Sequence, residues 1–337
     1  MFSTKQQAHS GAWARRRFIA GLMAMIAALC FSASHAQAIF PGKPVTLVVP
    51  FPPGAIVDNV GRKLAAKLAD IWKVSVVIEN KPGAGGNLAG GIVAGAKPDG
   101  YTLLLSQYDS MVIAKAGGLP IGYDPQSDLL PVAQVGLSTT LFLVNADSKL
   151  KTFKDFIEYA KSNPGKLNFG SNGFGGSYHL GIEQLNSVAG VSIVHVPYKG
   201  GSPSMIDLLS NRVDAILAST SLAQPQMKAG KVRALALGSA RRSALYPGVL
   251  PIAESGYPQF DVSLGLGVFA PAGVSKEVIN KINQDVNTAL SDPLFKDQLN
   301  AEGVDATEGT PGAFQKIFSD QITATRDLLQ RLNLKLE

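Results

Sequence analysis

The stretch Val45-Thr46-Leu47-Val48-Val49-Pro50-Phe51-Pro52-Pro53-Gly54 decides how this chain is read. An apolar, β-branched run stops at a proline-rich elbow. Apolar residues then recur at helical spacing in Val57, Val60, Leu64 and Leu68. A buried strand, a tight turn and a helix whose first turn faces the strand's end make an anion site, because the first N–H groups of a helix have no partner within it. The expectation is a chain that binds a small acid without changing it.

The same alternation continues to the C-terminus and predicts an α/β chain with parallel sheets. Further strands are read at Val74–Glu79, Tyr101–Ser106, Leu130–Val135, Leu141–Asn145, Lys166–Gly170, Val191–Pro197, Val213–Ala218, Val232–Gly238, Ser263–Ala270 and Val304–Thr307. Helices are read at Asp58–Ile71, Asn87–Gly95, Phe153–Ser162, Ser177–Val188, Ser202–Leu209, Leu222–Ala229, Lys276–Leu290, Pro293–Ala301 and Pro311–Leu332. Thr152 stands three residues before Asp155, a near capping box, and Thr310-Pro311 puts a cap before an N1 proline. The polar break Ser138-Thr139-Thr140 and the run Ser263–Ala270 are the expected crossings between two lobes, and two crossings make a hinge.

Residues 1–38 read as a signal peptide. Arg15, Arg16 and Arg17 precede an apolar run from Phe18 to Phe31, and Ala36-Gln37-Ala38 supplies the small-residue cleavage pattern, after Ala36 or Ala38. Its removal takes Lys5 and the three arginines, so lysine plus arginine falls from 31 to 27 against 25 acids. The basic character is then a targeting feature and gives no reason to propose a nucleic-acid partner. The single cysteine, Cys30, goes too, which excludes disulfides, thiolate metal sites and a cysteine nucleophile. His179 and His195 alone remain of four histidines, so a multi-histidine metal cage is excluded, and no metal or cofactor is expected. The remaining length exceeds one compact core of ordinary size, which predicts two lobes.

Three glycine-rich turns join strand to helix. Lys81-Pro82-Gly83-Ala84-Gly85-Gly86-Asn87 misses the dinucleotide fingerprint, because Leu88 stands where the third glycine is needed. Phe169-Gly170-Ser171-Asn172-Gly173-Phe174-Gly175-Gly176-Ser177 lacks the lysine of a P-loop and the Gly-x-Ser-x-Gly of an exported hydrolase. Ser177 fits an N-cap or first-turn position there, with several N–H groups converging. Ser171 or Ser177 with His179 or His195 as base remains open as a nucleophile pair, against a histidine bonded to backbone. In His195-Val196-Pro197-Tyr198-Lys199-Gly200-Gly201, Tyr198 can offer a hydroxyl and Lys199 a charge, or Lys199 is a solvated turn residue. Nothing marks Asp58, Asp109 or Asp214 as a partnered carboxylate set.

These blocks, in this order, resemble the substrate receptors of tripartite tricarboxylate transporters, the Bug family. Phe40-Pro41-Gly42-Lys43-Pro44-Val45, Pro50-Phe51-Pro52-Pro53-Gly54, Glu79-Asn80-Lys81-Pro82-Gly83-Ala84-Gly85-Gly86-Asn87 and Pro98-Asp99-Gly100-Tyr101-Thr102-Leu103 carry the first part. Gly170-Ser171 with Gly173 and Gly175, His179-Leu180, His195-Val196-Pro197-Tyr198-Lys199-Gly200-Gly201, Lys228-Ala229-Gly230-Lys231-Val232-Arg233-Ala234-Leu235-Ala236 and Phe269-Ala270-Pro271-Ala272-Gly273 carry the rest.

The resemblance implies a periplasmic, two-lobed α/β binding protein of the Venus-flytrap, type II-like kind. Lobe 1 would comprise residues 39–140 and 263–337, and lobe 2 residues 141–262. It implies no enzymatic activity and a monomer that delivers a small mono- or dicarboxylate, aromatic ones included, to membrane permease subunits. A sensor without a transport partner and an exported enzyme are the competing readings. Ligand contacts are implied at Phe51, Pro53, Gly54, Ala55, Asp58, Ser106, Ser171, Gly173, Gly175, Gly176, Ser177, His179, Tyr198 and Gly200. Two departures stand out. Ala55-Ile56-Val57 replaces a segment commonly starting with a second glycine and carrying a hydroxyl, and Ala218 and Ser219 stand where relatives often carry an acid. Both make the cleft less polar and point to a ligand with an apolar or aromatic body and one carboxylate.

Overall fold

The computed structural model describes residues 40–336. The signal-peptide reading lies outside them. The chain divides into two compact units after Gly42, and the second, from Lys43, holds every element described below.

Val45–Val49 forms β1, with Thr46 the one residue of the five not fully buried, as a central strand covered on both faces requires. Helix α1 (Ile56–Trp72) follows and buries Val57, Val60, Leu64 and Leu68, the spacing read from the sequence. Next come β2 (Val76–Asn80), α2 (Asn87–Ala94), β3 (Thr102–Gln107), α3 (Asp109–Gly117), β4 (Leu129–Ser138), β5 (Thr140–Asn145), α4 (Phe153–Ser162), β6 (Asn168–Ser171) and α5 (Ser177–Ala189). The chain continues through β7 (Val194–Pro197), α6 (Gly201–Leu209), β8 (Ala215–Ser219), α7 (Thr220–Lys228), β9 (Val232–Leu237) and β10 (Leu264–Pro271). It closes with α8 (Lys276–Ser291), α9 (Pro293–Ala301), β11 (Val304–Ala306) and α10 (Pro311–Arg331). Thr152 and Asp155 complete a reciprocal capping box, and Thr310 accepts from the Ala313 N–H ahead of the N1 proline.

Two sheets result, ordered β11-β4-β10-β3-β1-β2 and β7-β6-β8-β5-β9. They are mixed, which corrects the expectation of parallel sheets. β1 pairs parallel with β2 and β3, and β6 with β7 and β8. The strands around the crossings, β4, β5 and β10, pair antiparallel with their neighbours. The physical reason is the crossing itself: β4 leaves one sheet and β5 enters the other with only Thr139 between them. The crossings meet there. The Thr140 hydroxyl donates to the Val262 carbonyl at 3.0 Å, and the Val262 N–H donates to Gly238 at 2.8 Å.

Helix α3 is absent from the sequence reading. Val112 and Ile113, β-branched and directly after a strand, hid it. Asp109 in its first turn and Gly118, left-handed at φ 69°, past its end are the start and stop signals that were available.

Each sheet has an aromatic core. Tyr108, Phe269, Phe314 and Phe318 pack edge-on or tilted under the six-stranded sheet, and Phe142, Phe153, Phe156 and Phe169 under the five-stranded one. The first cluster exists because β10 has glycines where rings cross it. A methyl at Gly265 would fall inside the Tyr108 ring, and one at Gly267 would meet Phe314. Gly265→Ala is therefore expected to cost about 1–3 kcal/mol by overpacking, read as a lower urea midpoint at unchanged slope.

Candidate functional site

The first loop, residues 50–55, leaves β1 and enters α1. Gly54 takes φ 87°, where only glycine is unstrained. Ala55 sits extended at φ −68°, so the missing second glycine costs no backbone freedom. Asp58 holds the turn from below and is 1% exposed. Its Oδ2 accepts from the Gly54 N–H at 2.9 Å and Arg62 Nε at 3.0 Å. Its Oδ1 accepts from Asn80 Nδ2 at 2.9 Å and pairs with Arg62 at 2.9 Å. Asn80 also donates to the Phe51 carbonyl at 2.9 Å. Burial pushes the Asp58 carboxyl up, but the bonds from Arg62, Asn80 and Gly54 outweigh it and hold it below the ordinary carboxylate value. Asp58 thus shapes the elbow, and its oxygens are already engaged.

The second loop runs from Ser171 at the end of β6 to Ser177 at the start of α5. Gly173 (φ 142°) and Gly175 (φ 72°) allow its turns, and Gly176 is the N-cap. The Ser171 hydroxyl donates to the Gly173 carbonyl and accepts from the Gly173 N–H, both at 3.1 Å, and lies 2.6 Å from His195 Nε2. His179 Nδ1 accepts from the Gly175 N–H at 2.9 Å. The two imidazoles stack at 3.9 Å, and Phe174 leans on His179 at 4.7 Å with its ring 55% exposed. Burial lowers the pKa of both histidines. His195, with His179 beside it, falls to about 4. Both are neutral at pH 7, as stacked partners must be.

Of the other predicted residues, Ser106 donates to the neighbouring Gln107 carbonyl at 2.8 Å. The Tyr198 hydroxyl donates to Asp207 at 2.8 Å, while its backbone N–H holds Ser171. Gly200, at φ 109°, caps α6. The side chains of Asp58, Ser106, Ser171, His179 and Tyr198 are therefore committed to internal bonds. The groups left at the two loops are backbone ones, together with Phe51, Pro53 and Phe174.

Ser177 makes a bond that no local pattern in the chain announces. Its hydroxyl donates to Asp109 Oδ2 at 2.6 Å, joining the first turn of α5 to the first turn of α3. One helix follows the six-stranded sheet and the other the five-stranded sheet, so this bond spans the lobes. Behind it, Gly86 lies close to Pro50, Phe51 and Ser110, which carries the contact on to the first loop. His195 was weighed only as a base for Ser171 or Ser177, and the bond of Asp109 to Ser177 and the Phe174 ring were missed. Asp109 in the first turn of a helix after a strand was the available signal.

The family described as "Tripartite tricarboxylate transporter family receptor" matches residues 60–334. The chain belongs to that family. Its likeness extends to solved structures. The periplasmic binding protein BugD is 32% identical with TM-score 0.73, over 88% of this chain and all of that one. A Rhodopseudomonas palustris protein, Rpa4515, solved with adipate, is 30% identical with TM-score 0.76, over 87% of this chain and 98% of that one. MatC of the same organism, with bound malate, is 30% identical with TM-score 0.73, over 86% of this chain and all of that one. The fold is that of the two-lobed periplasmic binding proteins.

The histidine stack sets a pH dependence. His195 folds with a depressed pKa, so below pH 6.5 the unfolded chain binds more protons than the folded one. Stability is expected to fall as pH drops from 6.5 towards 4. His195→Gln should flatten that fall in urea midpoints measured across the range. An equally steep fall in the variant would contradict the assignment.

Proposed function

We propose that this protein is a periplasmic receptor that closes two lobes on a small carboxylate with an apolar or aromatic body and delivers it to a tripartite tricarboxylate-type permease. The observation that carries the reading is the pair of strand–loop–helix turns, each with a helix N-terminus at its mouth, linked across the lobes by Ser177 and Asp109. Lobe boundaries close to 140/141 and 262/263 are supported by the passage from β4 to β5 at Thr139 and by the bond that brings Thr140 and Val262 together; β5 begins at Thr140, one residue ahead of the first boundary.

The energetics suit an acid held largely by backbone. A carboxylate at a helix N-terminus gains about 0.3–1 kcal/mol when exposed and up to about 2 when partly buried. Two such ends with several charge-assisted hydrogen bonds approach the ~8 kcal/mol of micromolar binding. Adipate and malate in the related proteins are both carboxylates. The apolar body is supported by Ile56 at the start of α1 and by the exposed Phe174 at the second loop, whereas Val57 is buried in the core.

No turnover accompanies binding in this reading. Ser171 and His195 stand as close as a nucleophile and its base, but Ser171 is fully buried and its hydroxyl is tied to Gly173. Among the described residues no carboxylate bonds His195 to orient it. The pair serves to staple the loop.

A calorimetric panel tests the proposal. Benzoate and phenylacetate should bind with one-to-one stoichiometry and leave unchanged, and citrate should bind at least tenfold more weakly. Tight citrate binding with silent aromatic acids would overturn the ligand class. Phe174→Ala should weaken the aromatic acids about 3–10-fold, the worth of one ring contact. Gly176→Pro fits a backbone angle proline accepts (φ −77°) but removes the N–H that closes the turn onto the Gly173 carbonyl at 3.4 Å, so the loop should be reshaped and binding lost with a small fall in melting temperature. Unaltered affinity would show that the second loop does not hold the ligand.

A further inference from the structure

A cavity of about 380 Å³ lies on the seam between the lobes. Of the residues expected to touch the carboxylate, Ser177 alone lines it. Asp109, Val112 and Ile113 of α3 and the α10 side chains from Gln321 to Arg331 form one wall. Leu180, Gly181 and Gln184 of α5, with residues 259–263, form the other. The Asp109–Ser177 bond is therefore shared between this cavity and the two loops.

The chemistry of the lining is specific. Asp109 Oδ2 is taken by Ser177, while Oδ1 is out of solvent and has no hydrogen-bond partner. A buried carboxylate oxygen without a donor is costly, and an occupant that donates to it is favoured. Asp261 adds a second carboxylate against one guanidinium, Arg331, so the ionised lining carries a net negative charge. Val112, Ile113, Leu180, Val262 and Leu328 supply apolar wall, and the volume falls in the range of small-molecule sites.

We propose that this seam cavity is a second ligand site, which takes a small primary ammonium compound with an apolar body and sets its ammonium group beside the Asp109 carboxylate. Burial raises the Asp109 pKa, and a bound cation restores the charged form. The walls come from both lobes, so an occupant bridges them. The site stands apart from the carboxylate reading and survives its failure.

The test is isothermal titration of the full mature protein with 2-phenylethylammonium chloride at pH 7.5. Saturable one-to-one binding is expected. Ala324→Trp, on an exposed position of α10 that lines the mouth, should fill the cavity and weaken the amine at least tenfold while the fold, followed by circular dichroism, is kept. Asp109→Asn should weaken it by a similar factor. Phenylacetate titrated into Ala324→Trp should behave as it does with the parent protein, which separates this site from the loops. No saturable binding to the parent protein, or undiminished binding to Ala324→Trp, would overturn the proposal.

Discussion

The hydrogen bond from the Ser177 hydroxyl to the Asp109 carboxylate joins the two halves at their functional ends, beside an apolar contact of Ile113, Leu180 and Leu329. Each partner sits in the first turn of a helix that follows a parallel strand. The bond is short and part-buried, and losing one partner leaves the other's polar atom to find a new donor or acceptor. It also fixes the distance between the loops on either side. The two crossings between the sheets meet at Thr139, Thr140 and Val262.

The two loops reach the same end by different means. The first is shaped by a buried carboxylate, Asp58, whose four hydrogen bonds draw Gly54, Arg62 and Asn80 together. The second is shaped by neutral imidazoles and positive-φ glycines, with His179 and Ser171 tying the turn to itself. In both, polar side chains and the loop N–H groups of Gly54, Gly173 and Gly175 are consumed in holding the turn, which leaves the first-turn N–H groups of α1 and α5 and apolar rings for a ligand. That division explains how an acid can be received without an arginine clamp. It is also the reason the proposed ligand carries an apolar body in place of further charge.

Much of this was legible in the chain. The run from Val45 to Gly54 with its following helix, the crossing at Ser138-Thr139-Thr140 and the caps at Thr152 and Thr310 are local signals, and local signals survive folding. The antiparallel strands were not legible, because pairing direction depends on where the chain crosses between sheets and not on any one segment's pattern. Asp58 and His179 were read as contacts to ligand because a polar residue beside a loop looks the same whether it faces outward or braces the turn. The pairing of Asp109 with Ser177 joins residues far apart in sequence, and α3 itself was masked by its β-branched residues. Ala55 shows the reverse case: its extended backbone angle makes a feared strain disappear.

Hydrogen–deuterium exchange at the backbone amides of residues 51–58 and 171–177 tests the central claim most directly. It compares the ligand-free protein with protein saturated by the tightest-binding acid of the carboxylate panel. If an acid is held between two helix N-termini, both segments slow together on binding, while the outer strands β2 and β7 stay unchanged. Protection confined to one segment, or to neither, would contradict the two-loop clamp.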